Sequence, residues 1–170
     1  MNAIVSVTAD WGIGADGRLP VRNRDDMRRF VALTRPGTVL MGRTTFEGFP
    51  HGALAGRRNV VLTTRADFAA PGVEVARSVA EALALVASDD PEHVWLIGGA
   101  RTYDALADAC ARAYVTRNDV SVPVDAWFPD LDARPHWHLA SRESGGTTEA
   151  GVAFSYLTYE NEAPSRPEGA

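Results

Sequence analysis

The chain has no lysine: all 17 of its basic residues are arginine. That absence excludes Schiff-base chemistry and a Walker-type lysine on nucleotide phosphates. Cysteine is almost missing as well. Cys110 is alone, so an intramolecular disulfide is excluded and a cytoplasmic setting is expected. It falls in an alanine-rich helical run and reads as a buried, inert thiol rather than a nucleophile. No apolar run reaches the length of a membrane span, and residues 1–10 lack the basic start of a signal peptide, so no membrane partner is expected. Positive charge is in deficit: the net charge of −5 argues against a general nucleic-acid binder. Histidine is sparse and scattered. His51 and His93 are isolated, and His136 and His138 can share one strand face beside Trp137 but have no third ligand near them, so no metal is expected.

What is present is an ordinary globular composition, 45% apolar and 23% charged over 170 residues, enough for one compact domain with a real core. Residues 3–9 read as a central strand and 10–20 as a glycine-studded loop. Residues 25–34 set Met27, Phe30, Val31 and Leu33 against Arg28 and Arg29, an amphipathic helix that Arg35-Pro36-Gly37 ends. Strands are expected at 38–41, 59–63 and 72–76, with a short helix after Gly42. A longer helix covers 78–87, where Ser78 and Glu81 form a capping box. Residues 94–97 are a strand, its helix runs to about residue 110, and 112–117 is another strand. Residues 137–142 and 152–159 alternate as antiparallel strands around a polar loop at 143–151. A domain at 1–160 is followed by a polar tail at 161–170 that reads as disordered. These elements predict an α/β fold: a single three-layer domain with a central mixed, mostly parallel sheet flanked by helices, finished by an antiparallel C-terminal hairpin.

The stretch at 94–103, Val-Trp-Leu-Ile-Gly-Gly-Ala-Arg-Thr-Tyr, organises the chain. Four uninterrupted apolar residues suit a strand buried on both faces. Gly98-Gly99 then lets backbone approach a ligand, and the free N–H groups of the following helix start attract phosphate. On its own the stretch reads equally well as a tight strand-to-helix turn. Gly12-Ile13-Gly14-Ala15-Asp16-Gly17 matches G-x-G-x-x-G after a strand, but Arg18, Leu19 and Pro20 follow where a dinucleotide fingerprint requires a helix. A mobile loop over a site suits those glycines better. On the first helix, Asp26 lies four residues before Phe30 and shares its face, whereas Asp25 points toward Arg28 and Arg29. A carboxyl beside that apolar face should have a raised pKa, and it suits two hydrogen bonds to an amidine-like heterocycle. Both aspartates also suit plain capping of the helix N-terminus.

Ile13-Gly14, Leu19-Pro20, Asp26-Met27 with Phe30, Met41-Gly42-Arg43-Thr44-Thr45-Phe46-Glu47, Leu54-Ala55-Gly56-Arg57-Arg58-Asn59 and Ile97-Gly98-Gly99 together resemble dihydrofolate reductase of the bacterial type, in order and spacing, over roughly residues 1–159. The resemblance implies NADPH-dependent reduction of 7,8-dihydrofolate to tetrahydrofolate in one-carbon metabolism, and an antifolate target. It implies that Asp26 is the single active-site acid, binding the pterin 2-amino group and N3 while N5 is protonated and C6 receives hydride. Val5, Ser6, Met27, Phe30, Phe49, Leu54, Ile97 and Thr116 would line the substrate pocket, and Arg57 would pair with the glutamate α-carboxylate. Ala9, Ile13 and Gly14 would lie near the nicotinamide. Gly42, Arg43, Thr44 and Thr45 would form one phosphate turn; Gly98, Gly99, Ala100, Arg101 and Thr102 would form the other, with the two glycines joined by a cis peptide. Thr63, Thr64 and Arg65 would hold the adenosine 2′-phosphate, and Tyr103 would lie near the nicotinamide. A monomer is expected.

The chain departs from the family in two places. Val21 follows Leu19-Pro20 where many members have tryptophan, so a water held by that indole is without its donor, and Arg22 or Arg24 is expected to alter the field at Asp26. Ala126 stands where a hydroxyl residue is common. Two other readings compete. A pyrimidine reductase of riboflavin synthesis shares the fold and cofactor seat but leaves Asp26 with Phe30, and Arg57, unexplained. A non-catalytic cofactor or folate binder leaves the intact acid unexplained.

Overall fold

In the computed structural model, which describes residues 1–165, the chain begins with strand β1 (Asn2–Val7) and a short ladder strand β2 (Gly12–Gly14). Helix α1 (Arg24–Thr34) leads to β3 (Gly37–Gly42), helix α2 (Arg43–Glu47) to β4 (Arg57–Leu62), and β5 (Glu74–Ala76) to helix α3 (Val79–Val86). Then come β6 (Val94–Gly98), α4 (Ala100–Leu106), β7 (Arg112–Asn118), β8 (Ala126–Trp127), β9 (Trp137–Thr147) and β10 (Ala153–Asn161). Eight of these strands form one sheet in the order β5-β4-β3-β6-β1-β7-β10-β9. The run from β5 to β7 is parallel; β10 joins β7 antiparallel, and β9 closes the hairpin at the edge. This is the mixed, mostly parallel sheet the sequence predicts.

Alternation along the buried strands builds a layer on each face. Val5, Leu40, Val60, Leu96 and Val115 share one cluster with Ala82 and Val86 of α3 and Tyr103 and Leu106 of α4. Ile4, Val39, Met41, Val61 and Trp95 share the other with Phe46 of α2, and Phe30 and Leu33 of α1 pack against it. The phosphate-turn candidate at α4 therefore flanks one face of the sheet, while the one at α2 and the candidate acid on α1 flank the other. The start of α3 is capped by Ser78, which accepts the Glu81 N–H at 3.1 Å. The Glu81 carboxylate reaches past the box to the Arg77 N–H at 2.7 Å.

Several boundaries differ from the sequence expectation, each for a local reason. β1 ends at Val7 because the Thr8 hydroxyl accepts the Gly12 N–H at 2.9 Å and turns the chain. Trp11 takes a left-handed φ of 65° inside that turn and stacks near Phe128. The loop at 10–20 contains β2, which pairs with β8. The α4 helix stops at Leu106 and tightens into a 3₁₀ turn at Ala107–Ala109 rather than running to 110. β9 runs on to Thr147 through the region read as a loop. Gly145 belongs in that strand because the Phe154 ring occupies the space its side chain would need, and a bulge in the β9–β10 pairing falls at the same place. The tail read as disordered is docked at its start: Glu162 N–H reaches the His136 carbonyl at 2.9 Å and Ser165 N–H the Asp108 carbonyl at 2.7 Å. Residues 166–170 lie outside the described residues. Cys110 is fully buried, and burial pushes its thiol up to about 12. No helix among the described residues is long and apolar enough to cross a membrane.

Candidate active site

The start of α1 decides what Asp26 is free to do. Asn23 is the N-cap, and its side-chain oxygen accepts the N–H groups of Asp25 at 3.1 Å and Asp26 at 3.0 Å. Capping is therefore done by Asn23, not by the aspartates. Asp25 turns outward to an ion pair with Arg28. Asp26 is half-buried, and desolvation holds its carboxyl above the ordinary carboxylate range. The Thr116 hydroxyl and the Arg29 guanidinium pull the other way. Arg29 was not singled out from the sequence for this role. Arg22 is exposed and Arg24 pairs with Glu149 at 2.5 Å, and neither acts on Asp26; the charge at the acid comes from Arg29. The Arg29 guanidinium lies 4.3 Å from the Tyr156 ring centroid, its Nη1 is buried without a partner, and desolvation lowers its own pKa.

Phe30, Phe49, Leu54 and Ile97 pack against the cluster on the α1 side of the sheet. Val5 does not: its side chain joins the opposite layer, so it can meet a ligand on the Phe30 face only through its backbone. Ile4, which the sequence reading passed over, turns its side chain to the α1 side instead. Ser6 is half-buried, Thr116 fully buried, and Met27 is 49% exposed. Arg57 begins β4 beside the same helix. Its Nη1 donates to the Thr34 hydroxyl at 3.0 Å, its guanidinium lies 5.6 Å from the Phe30 ring centroid, and its Nε is buried without a partner. Desolvation and the nearby Arg35 lower the Arg57 pKa, so the site has a cation in want of an anion.

Across the sheet edge, α2 and α4 start on Gly42 and Gly99, and no side chain caps either start. The turns face each other at van der Waals range. A Cβ on Gly42 would lie 2.5 Å from the Thr102 hydroxyl, and one on Gly99 would lie 3.0 Å from the Thr45 hydroxyl. The Gly98–Gly99 peptide is cis, and Gly98 has a φ of 117° with the Tyr103 ring against it. Uncapped amides, threonine hydroxyls and side-chain-free backbone in one cradle fit a diphosphate. Arg43 is held by Glu47 and Arg65 by Asp67, while Arg101 and Thr64 are exposed and Ala100 half-buried. Thr63 is buried at the end of β4, where its hydroxyl accepts the Arg65 N–H at 3.2 Å. Tyr103 is buried and its hydroxyl donates to the Ile4 carbonyl at 2.7 Å, so burial raises its pKa and it is no proton donor.

The glycine loop is stitched down beside this seat. No helix opens after Gly12-Ile13-Gly14, as expected; α1 begins only at Arg24. Instead the Asp125 N–H reaches the Gly14 carbonyl and the Asp125 carboxylate accepts the Asp16 N–H, both at 2.9 Å. Ile13, Gly14 and Ala9 are all half-buried along this segment.

An α/β fold with two uncapped glycine turns facing each other and a half-buried carboxyl on its first helix suits the class of dinucleotide-dependent reductases. The sequence model described as "Dihydrofolate reductase" matches residues 1–161. Dihydrofolate reductases of Neisseria gonorrhoeae and Bacillus subtilis are 37% and 31% identical to the chain, covering 86% and 98% of it and 89% and 97% of their own lengths. A solved structure, dihydrofolate reductase from Enterococcus faecalis complexed with NADP(H) and RAB-propyl, superposes with a TM-score of 0.85 at 32% identity, over 94% of this chain and 95% of that one. The chain belongs to the dihydrofolate reductase family and is an NADPH-dependent oxidoreductase.

Proposed function

We propose that the chain reduces 7,8-dihydrofolate to 5,6,7,8-tetrahydrofolate and that Asp26 is its acid. The observation that carries the assignment is a carboxyl on the Phe30 face, with raised pKa and with its helix amides already taken by Asn23. Asp26 accepts from the 2-amino group and N3 of the pterin, a planar pair of hydrogen bonds that fixes the ring. Desolvation keeps a proton on or near the carboxyl at higher pH than an exposed aspartate allows, which favours protonation at N5. NADPH, when bound, supplies the hydride that adds to C6, so hydride and proton together saturate the C6–N5 double bond. Val5 backbone, Ser6, Met27, Phe30, Phe49, Leu54, Ile97 and Thr116 enclose the pterin and the aminobenzoyl ring and exclude water. Arg57, whose Nη1 is spent on Thr34 and which forms no ion pair among the described residues, takes the glutamate α-carboxylate with its guanidinium.

The cofactor is held by Gly42, Arg43, Thr44, Thr45, Gly98, Gly99, Ala100, Arg101 and Thr102 around its diphosphate, and by Thr63, Thr64 and Arg65 at the 2′-phosphate. Ala9, Ile13, Gly14 and Tyr103 bound the nicotinamide. All of these residues come from one chain, so a monomer in the cytoplasm suffices, and antifolates compete for the Asp26 pair. The test is oxidation of NADPH with 7,8-dihydrofolate, beside NADH and beside Asp26→Asn. Turnover that favours NADPH and is lost in the variant supports the reading; tight NADPH binding with no turnover of dihydrofolate overturns it.

A further inference from the structure

The first turn of α1 is fastened to the sheet by a relay of buried side-chain amides. Asn118, at the end of β7, is 1% exposed. Its Nδ2 donates to the Ser6 hydroxyl at 3.0 Å and to the Val7 carbonyl at 2.9 Å. Its Oδ1 accepts from Asn23 Nδ2 at 3.3 Å. Asn23, itself buried, passes the contact on through Oδ1 to the N–H groups of Asp25 and Asp26. Both donor hydrogens and the acceptor of Asn118 are thus used. Thr116 lies two residues earlier on β7, on the same face, and its hydroxyl pulls the Asp26 pKa down. One strand therefore reaches Asp26 at two points: at the carboxyl through the field of the Thr116 hydroxyl and at the backbone through Asn118 and Asn23.

We propose that Asn118 is a positioning residue for Asp26, acting through Asn23 to hold the acid's backbone at a fixed place relative to β1 and β7. The proposal rests on the reading of Asp26 as the acid. Stability alone does not call for this arrangement, because replacing both partners of a buried hydrogen bond by apolar groups of the same shape is close to neutral. What an apolar pair does not supply is direction. The relay joins Ser6 and Asp26, two pocket residues on different elements, by contacts that tolerate little rotation. With it cut, the first turn of α1 loses its polar tie to the sheet while Phe30 and Leu33 still hold the rest of the helix, water gains access to the Asp26 carboxyl, and the desolvation that raises its pKa weakens. The charged and titratable groups in the field of Asp26 are Arg29 on its own helix, Tyr156 on β10 and, from the opposite layer, Tyr103 on α4. None belongs to the relay, so cutting it changes no charge.

Two variants test this in the full chain. Asn118→Leu is close in shape and removes the relay; Asn23→Ser keeps a capping oxygen but is too short to reach Asn118. Each is measured for kcat, KM for dihydrofolate, NADPH Kd, Tm and the pH profile of the hydride step, with Asp26→Asn alongside. The expected result in both is a fall in kcat of about ten- to a hundred-fold, a pH midpoint moved to lower pH, and an unchanged NADPH Kd. If kcat and the pH midpoint stay at the wild-type values while Tm alone drops, the amides are structural and the proposal fails. If Asn118→Leu does not fold, Asn23→Ser gives the same readouts. Turnover surviving in Asp26→Asn overturns the acid assignment and the relay with it. Turnover lost there but normal in both relay variants overturns the relay alone.

Discussion

Helices α1 and α4 both start beside the site, and their first turns are completed in opposite ways. At α1 the side chain of Asn23 takes the amides of Asp25 and Asp26. At α4 the cap is Gly99, which has no side chain to offer, and the same holds for Gly42 at α2. Orphan amides at a helix start need an acceptor from somewhere. Where the protein supplies one, the acid in the first turn is released from capping and turns its carboxyl to other work. Where it supplies none, the amides are available to an anion from outside. On the proposed reading, the same backbone feature serves proton chemistry in one place and phosphate binding in the other, and the residue at the cap decides which.

The sharpest way to separate the two ends is to remove the acid. Asp26→Asn is expected to cut turnover by about 10²–10⁴-fold while NADPH titration is unchanged. The same variant should gain stability at neutral pH. Burial raises the folded-state pKa of Asp26 above its unfolded value, so its contribution is fully favourable below the unfolded pKa and is lost as pH rises through the folded one. A neutral asparagine avoids that loss. Melting curves at neutral pH should therefore move up, and the gain should shrink in acid; a Tm that falls at neutral pH contradicts the burial argument.

Arg57→Ala breaks the substrate side without touching either helix start. If the Arg57 guanidinium holds the substrate's α-carboxylate, KM for dihydrofolate should rise by the equivalent of about 2–5 kcal/mol, with kcat nearly kept. A loss confined to kcat removes Arg57 from that role. Gly42→Ala breaks the cofactor side instead. The new methyl would lie 2.5 Å from the Thr102 hydroxyl, across the cradle. Overpacking of this kind costs about 1–3 kcal/mol, read as a weaker NADPH Kd with KM for dihydrofolate little changed. An unaltered Kd means that the two turns do not close on the cofactor together.

The fold was legible because its buried strands carry unbroken apolar runs and its helices carry apolar stripes. The placement of Asp26 on the Phe30 side of α1 was legible by its spacing, and the uncapped starts of α2 and α4 by their glycines. What escaped depended on partners distant in sequence. Gly145 reads as a loop residue until Phe154 is seen filling the space above it. Asn118 sits 95 residues from Asn23, and nothing local marks either as part of a relay. Ile4 and Val5 are adjacent and both apolar; only the pleat of β1 decides which faces the cleft. Arg29 was assigned to the polar side of α1, whereas the end of the sheet folds Tyr114 and Tyr156 over it.

That last misreading yields the smallest and most specific prediction. Arg29 carries the one cation among the described residues that acts on Asp26, and it sits 4.3 Å from the Tyr156 ring centroid and 5.8 Å from that of Tyr114. Its charge favours the ionised carboxylate and so opposes the effect of burial. Arg29→Met keeps an unbranched stem against the two tyrosines and removes the charge. The Asp26 pKa should then rise further, and activity that depends on the protonated acid should persist to higher pH than in the wild type. The comparison is made on the hydride step, since product release can mask a shift in the steady state. A midpoint that moves down would mean that losing Arg29 opens the pocket to water faster than it removes the positive charge, placing packing above electrostatics at this position.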